Sequence, residues 1–303
     1  MTVTMFRRDR HVANGYSSHL VPTGEVAISG TPLLGLPLLQ RYGYRSSTHL
    51  LQPKSLMVSD PKSVDTEARR VAVMQPYVFP YLGYFHLIES ADVFVFYDDV
   101  RFRKKGWINR NRLLDHSEIW QFTVPVSGAS QNRLICETPT GIDQRWRNKF
   151  FNRLRHAYGI APFYKDVLPI VDQAFSVQRG SIADLAIRSV EGCYRYVGES
   201  VSCLRSSEAF PATRALPGAE RLAAITRSVG GDCYVNAPGG RDLYNEDWFR
   251  KQGLGLEFIE SRLQQPEMMM SPIPWHLSII HLMMFHSPSE LRTMLTQYVS
   301  NPA

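Results

Sequence analysis

The residues best equipped for chemistry are gathered in one short tract. Lys104, Trp107, Asn109, Arg110 and Asn111 fall within eight positions of one another. Lysine and arginine hold a phosphate or carboxylate through charge-assisted hydrogen bonds, and asparagine amides orient a polar ligand. Just upstream stand two adjacent acids, Asp98 and Asp99. A carboxylate there could take a proton or bind an amine, a metal or a ribose hydroxyl. The alternative for the whole tract is a cluster of turns pinned by asparagine side chains, with arginine paired to Asp98 or Asp99.

These side chains need elements to position them. Val71–Met74 is a short apolar run that ends at Gln75-Pro76. An aromatic loop with a second proline, Pro80, leads into a helix near 80–90 that contains Gly83, with Tyr81, Phe85 and Ile88 on one face. A second apolar run, Val93–Tyr97, ends at the two acids. Adjacent residues at a strand end point in opposite directions, so at most one of Asp98 and Asp99 faces a site, and which one stays open. Two apolar strands with a helix between them and polar loops after each suggest the C-terminal edge of a parallel sheet, where ligands bind. A loop feeding a helix N-terminus also supplies free backbone N–H groups.

Downstream, a loop with a helical turn is expected at 107–113. Ile119–Val124 alternates like an edge strand, with 133–137 as its expected partner. Helix 143–158 places Trp146, Phe150, Leu154 and Tyr158 on one stripe, and helices follow near 163–175 and 181–197. Strand 200–204 leads to Ser206-Ser207. Pro217 opens a helix closed by Gly230-Gly231, and strand 232–236 runs into Ala237-Pro238-Gly239-Gly240. Asn245 caps a short helix before strand 255–260. Trp275–Phe285 is apolar almost all round, which predicts a buried helix. The last helix opens with the capping box Ser287-Pro288-Ser289-Glu290 and runs to Tyr298.

The segment from Gln75 to Phe85, the Tyr97-Asp98-Asp99 step and Lys104–Asn111 together resemble the signature of the WbqC-like family, QPxxFPxxGYF, YDD and KxGWxNRN. The resemblance spans roughly residues 70 to 298. Ser206-Ser207 resembles that family's SSE-like step, and Tyr234–Gly240 with Leu243-Tyr244 resembles its YxNxxGG segment. It implies a biosynthetic enzyme of polysaccharide or natural-product pathways, and it carries site roles onto Gln75, Tyr77, Gly83, Tyr84, Lys104, Trp107, Asn109, Arg110 and Asn111. It also carries them onto Ser206, Ser207, Asn236, Gly239, Gly240 and Tyr244. The chain departs from the pattern at His281, which stands where the family carries an acid after LSII. That imidazole is either a proton acceptor or a hydrogen-bonded core residue. The first loop also has a distant likeness to nucleotidylyltransferases of the HxGH type, but Tyr84 follows Gly83 where their histidine would stand.

Composition bounds the rest. The chain has 303 residues, enough for one large α/β domain. No apolar run reaches the roughly 20 residues that span a bilayer. Cys136, Cys193, Cys203 and Cys233 form no CxxC pair and read as reduced thiols of a cytoplasmic protein. Residues 101–155 hold twelve Lys/Arg against four acids, more net positive charge than the +6 of the whole chain. Such a field suits a phosphate-bearing partner. No HExxH, P-loop or GxSxG is present, and nothing calls for a metal beyond Mg²⁺ carried with a phosphate. No particular cofactor is implied.

The expected architecture is a three-layer α/β domain over 70–303, with a mostly parallel sheet, flanking helices and a helical C-terminal segment. Residues 1–69 lack periodicity and read as a disordered extension. The expected function is acyl or aminoacyl transfer to a phosphate-bearing small molecule such as a sugar nucleotide. Asp98, Asp99 or His281 would take the proton, at a pocket gathering the ends of strands 71–74, 93–97, 200–204 and 232–236. Two rivals are an RNA- or tRNA-engaging protein that stacks bases on Trp107, Trp120 and Trp146, and a non-catalytic scaffold.

Overall fold

The computed structural model describes residues 68–116, 118–128, 132–176, 180–263 and 276–303. The chain divides into two units, Met1–Lys62 and Ser63–Ala303, and every described residue belongs to the second. The expected extension over 1–69 therefore lies outside the described residues, apart from its last two positions.

Six strands form the main sheet: β1 (Arg70–Met74), β2 (Val93–Phe96), β5 (Cys203–Arg205), β6 (Cys233–Asn236), β7 (Gly255–Ser261) and β8 (Tyr298–Pro302). Their order is β5-β2-β1-β6-β7-β8, and only the β7–β8 pairing is antiparallel. The chain walks outward from β1 through β2 to β5. It then returns to the other side of β1 as β6. The sheet therefore has a topological switch point between β1 and β6, the place where open α/β sheets leave a crevice beyond the strand ends.

Period-2 alternation explains the layers. In β1, Val71 and Val73 face one side and pack with Val95, Tyr234, Leu256 and Phe258. That face is covered by α6 (Gly218–Ser228), through Leu222 and Ile225, and by α7 (Glu246–Lys251), through Phe249. Ala72, Phe94, Phe96 and Val235 point the other way. There they meet α1 (Leu82–Glu89), α4 (Ile182–Tyr196) and the tail helix α8 (Ile279–Phe285). Strands buried on both faces read as continuous apolar runs, as VAVM and VFVF do here. The three-layer, mostly parallel α/β architecture expected from the sequence is the one observed.

A separate hairpin stands beside the sheet. Its strands are β3 (Arg110–Asp115) and β4 (Glu118–Thr123). α2 (Gln144–Tyr158), capped by Asp143, lays Phe150 against Trp120 and Phe122 of β4. α3 (Tyr164–Phe175) packs on α4. α4 is opened by a capping box at Ser181 and Asp184.

Several local expectations are corrected. Residues 110–113 are strand, not a helical turn, because Arg110 to Asp115 pair in register with Thr123 to Glu118. Residues 133–137 do not pair with β4; Leu134 bridges Arg101, and Ile135–Glu137 closes one short 3₁₀ turn. β2 stops at Phe96, one residue early, and β5 starts at Cys203 and leads into the one-turn helix α5 (Ser206–Ala209). The capping box at Ser287 opens α9 (Pro288–Leu295) as expected, but Tyr298 leaves the helix and pairs with Ser261 in β8. Trp275 lies outside the described residues, and the buried tail helix is seen from Ile279. Among the described residues no helix is long and apolar enough to cross a membrane.

Candidate functional site

A cleft of about 470 Å³ opens at the switch point. Met74 at the end of β1 and Asn236 at the end of β6 form its floor, with Leu87 of α1 behind them. Tyr77, Pro80, Tyr81 and Tyr84 supply one wall from the β1–α1 loop and the first turn of α1. Trp107, Arg110 and Asn111 come from the tract that leads into β3. Ala237, Gly239, Gly240, Leu243 and His276 complete the rim. A concave, mainly apolar and aromatic pocket with a few convergent polar groups is the usual form of a small-molecule site.

The β1–α1 loop is held unusually firmly. Phe79 has φ of +44°, a strained value for a residue with a side chain. Three partners hold it there. Its N–H donates to Ser189 Oγ at 2.8 Å, and its carbonyl accepts from Asn111 Nδ2 at 2.6 Å and from Ser278 Oγ at 2.8 Å. Asn111 Nδ2 also donates to the Val78 carbonyl at 3.1 Å. Asn111 thus acts as a strut between hairpin and loop as well as a cleft residue. Gly83 serves the same loop, since a Cβ there would come within 2.6 Å of the Tyr81 ring.

The polar groups of the cleft differ in how far they are committed. Asn236 accepts from the Ala237 N–H at 2.8 Å through Oδ1, and Nδ2 has no protein acceptor among the described residues. That amide rests on Gly240, where a Cβ would come within 2.4 Å of it. Arg110 donates from Nε to the Gly106 carbonyl at 3.2 Å and from its terminal nitrogen to the Lys105 carbonyl. Among the described residues no carboxylate lies within ion-pair distance of it, so its charge is unneutralised. Arg112 lies 4.7 Å from the centre of the Trp107 ring, a cation–π contact that backs the exposed indole. The phenol of Tyr77 is pushed up by burial and by Tyr81, and down by Arg103; the net direction is up. Burial alone raises Tyr81. Both hydroxyls therefore stay protonated at neutral pH and can donate.

The cleft brings together eight of the residues picked out in the sequence: Tyr77, Tyr84, Trp107, Arg110, Asn111, Asn236, Gly239 and Gly240. Other expected positions lie elsewhere. Gln75 offers its carbonyl to Tyr84 Oη at 2.9 Å but does not line the cleft. Lys104 is exposed in the loop before Trp107. Asn109 is buried, with Nδ2 donating to the Val124 carbonyl at 2.7 Å. Tyr244 packs edge-on against Tyr234 and Phe249.

The expectation that four strand ends share one pocket is met only by β1 and β6. The ends of β2 and β5 build a buried polar network instead. Asp98 accepts from Arg205 Nε at 2.8 Å, from Ser207 Oγ at 2.9 Å and from the Ser207 N–H at 2.9 Å. Asp99 accepts from the Arg221 guanidinium at 2.7 and 2.8 Å and from Arg214 Nε at 3.1 Å. The two carboxylates do not diverge as strand neighbours would. Both turn toward Ser206 Oγ, because the strand has already ended at Phe96. Burial pushes the Asp99 carboxyl up, but hydrogen bonds from Arg221, Ser206 and Arg214 outweigh it and hold the group below its usual range.

His281 also sits outside the cleft. It is buried in α8, where Tyr158 Oη lies 2.9 Å from Nδ1. Tyr158 Oη also accepts from the Leu114 N–H at 2.9 Å. Nε2, on the other side of the ring, has no hydrogen-bond partner among the described residues. Burial, with a minor contribution from His286, pushes the imidazole down to about 4, so it is neutral at pH 7.

Sequence reasoning missed Met74, Pro80, Tyr81, Leu87, Ala237, Leu243 and His276 as cleft residues. Pro80 and Tyr81 stand inside the QPxxFPxxGYF stretch, and Ala237 and Leu243 flank the paired glycines. His276 gave no signal beyond standing next to the Leu277-Ser278 step.

The model of the WbqC-like protein family matches residues 75–293, which takes in every cleft residue except Met74. The chain is 27% identical over 195 residues to "Uncharacterized protein Rv1507c" of Mycobacterium tuberculosis, a match that covers 63% of this chain and 82% of the relative. No solved structure matches. The chain belongs to the WbqC-like protein family.

Proposed function

We propose that the protein is a biosynthetic transferase that binds a phosphate-bearing small molecule, such as a sugar nucleotide, in the cleft between the ends of β1 and β6. One observation carries the reading. An arginine without an acid partner among the described residues, Arg110, stands at a switch-point crevice beside three tyrosines and a tryptophan. An unneutralised guanidinium suits a phosphate, and aromatic walls suit the planar or sugar face of the same ligand. Gly239 and Gly240 let the backbone come close to it.

For acyl or aminoacyl transfer, the acceptor's hydroxyl or amine gives up a proton as it attacks the acyl carbonyl. The donor's leaving group departs with the bonding electron pair. Asp98, Asp99 and His281 do not line the cleft, so the proton passes to a group that does, and His276 is the imidazole there. The protonated hydroxyls of Tyr77 and Tyr81 are donors for the carbonyl oxygen as charge builds on it.

Nucleic acid is less well served. Trp120 is buried and Trp146 is stacked on Phe150 at 5.2 Å, which leaves Trp107 as the exposed member of the trio.

The test is a calorimetric titration with nucleoside diphosphate sugars, nucleoside diphosphates and pyrophosphate. Saturable binding is expected, weakened about tenfold or more by Arg110→Ala. No binding across the set, or equal binding by the variant, would overturn the reading.

A further inference from the structure

Away from the cleft, three side chains converge at the far end of the β3–β4 hairpin. His116 lies in the hairpin turn, Asp115 is the last residue of β3, and His156 comes from the final turn of α2. Asp115 Oδ1 lies 3.2 Å from Nδ1 of His116 and 3.2 Å from Nδ1 of His156. One ligand atom from each of the three falls within 4.8 Å of the others.

We propose that Asp115, His116 and His156 form a binding site for a divalent transition cation of the zinc class. The spacing is the first argument. Ligand atoms about 2.0–2.1 Å from a tetrahedral zinc stand about 3.3 Å apart, close to both nitrogen–oxygen distances here. The cation takes the place of the two imidazole protons that now point at Oδ1. The donor set is the second. Two imidazoles and one carboxylate suit zinc, nickel or copper, not the all-oxygen preference of magnesium or calcium.

The third argument is how the ligands are held. Arg153 Nε binds the other carboxylate oxygen, Oδ2, at 2.9 Å, and its guanidinium rests over the Trp120 ring at 4.9 Å. That fixes the carboxylate with Oδ1 presented to the two histidines, as outer partners of metal ligands do. His116 has φ of +58°, a left-handed turn conformation for a residue other than glycine. His116 and His156 are 71% and 68% exposed, so a cation reaches the site and keeps room for a water or an added ligand. The bound ion would clasp the hairpin turn to α2. The same strand, β3, carries Arg110 and Asn111 at its other end, so the clasp steadies an element that also serves the cleft.

The test uses the tag-free full chain and Zn²⁺ alone, in a titration followed by calorimetry and by metal analysis of the gel-filtered protein. One Zn²⁺ per chain is expected. His116→Ala and His156→Ala should each weaken it roughly 10- to 100-fold while leaving the circular dichroism spectrum unchanged. Co²⁺ in place of Zn²⁺ should give visible bands of tetrahedral coordination that the double variant lacks. Absence of Zn²⁺ binding by the wild type would overturn the proposal. So would equal Zn²⁺ affinity in the His116→Ala/His156→Ala double variant, which would place the ion on the cysteines or elsewhere.

Discussion

Asn111 Nδ2 lies 2.6 Å from the carbonyl oxygen of Phe79, a residue 32 positions earlier and in the left-handed region. One amide thus joins the hairpin to the loop that walls the cleft. Replacing it with alanine leaves two buried carbonyls with fewer donors, at a cost of about 1–3 kcal/mol. Asn111→Asp is expected to be worse than Asn111→Ala at pH 7, because it sets a carboxylate against those carbonyls. Urea unfolding of the two variants checks the order.

The two glycines of the rim should behave differently. A Cβ on Gly239 meets nothing within 4 Å, whereas one on Gly240 strikes Asn236 Nδ2. Gly239→Ala is therefore expected to be silent, and Gly240→Ala to displace the Asn236 amide. The expected result is at least a several-fold loss of ligand affinity for Gly240→Ala alone, read by calorimetry.

Asp99 and Arg221 form a pair with both side chains buried. Removing one partner strands the other's charge, so Asp99→Asn and Arg221→Ala should each cost roughly 3–5 kcal/mol. Arg214 donates to the same carboxylate but is half exposed, so Arg214→Ala should cost about 1 kcal/mol or less. Equal losses in all three variants, measured by denaturant unfolding, would contradict this. Because the Asp99 pKa is depressed, its contribution is present above the unfolded carboxylate range and is lost as pH falls through the folded value.

His281 gives the acid limb a second component of known sign. Its folded pKa is about 4 against an ordinary 6.5, so below pH 6.5 the unfolded chain binds the proton that the folded chain refuses. Stability is unaffected above that range and falls as pH drops from 6.5 toward 4, by roughly 3 kcal/mol at most. Buried His86 shifts in the same direction, through burial only partly offset by the Met294 carbonyl. His281→Gln should flatten the loss between pH 6.5 and 4, a change visible in melting temperature across that range.

Local signals carried much of this fold. Asn245 and Ser287 cap the helices they were expected to cap. VAVM and VFVF are strands buried on both faces. What escaped was set by distant partners. Tyr298 continues a helical spacing from Leu291, yet it pairs with β7, whose exposed edge no local pattern announces. Arg110–Leu114 starts polar like a loop and becomes strand because β4 folds back on it. Asp98 and Asp99 looked like site acids because the arginines that bind them lie more than 100 positions later. Asn236 reaches the cleft because it ends β6 at the switch point, and Arg110 and Asn111 reach it from the start of the separate hairpin strand β3.

The tie between Ser278 Oγ and the Phe79 carbonyl spans 199 positions. During translation, Phe79 and its neighbours leave the ribosome long before that hydroxyl exists. A nascent chain can pair β1 with β2 early, and Asn111 and Ser189 can tie Phe79 before the tail helix arrives, but the third tie waits for it. The cleft is therefore a late product of synthesis, and a chain interrupted before residue 278 would carry most of the sheet with an unfinished binding site.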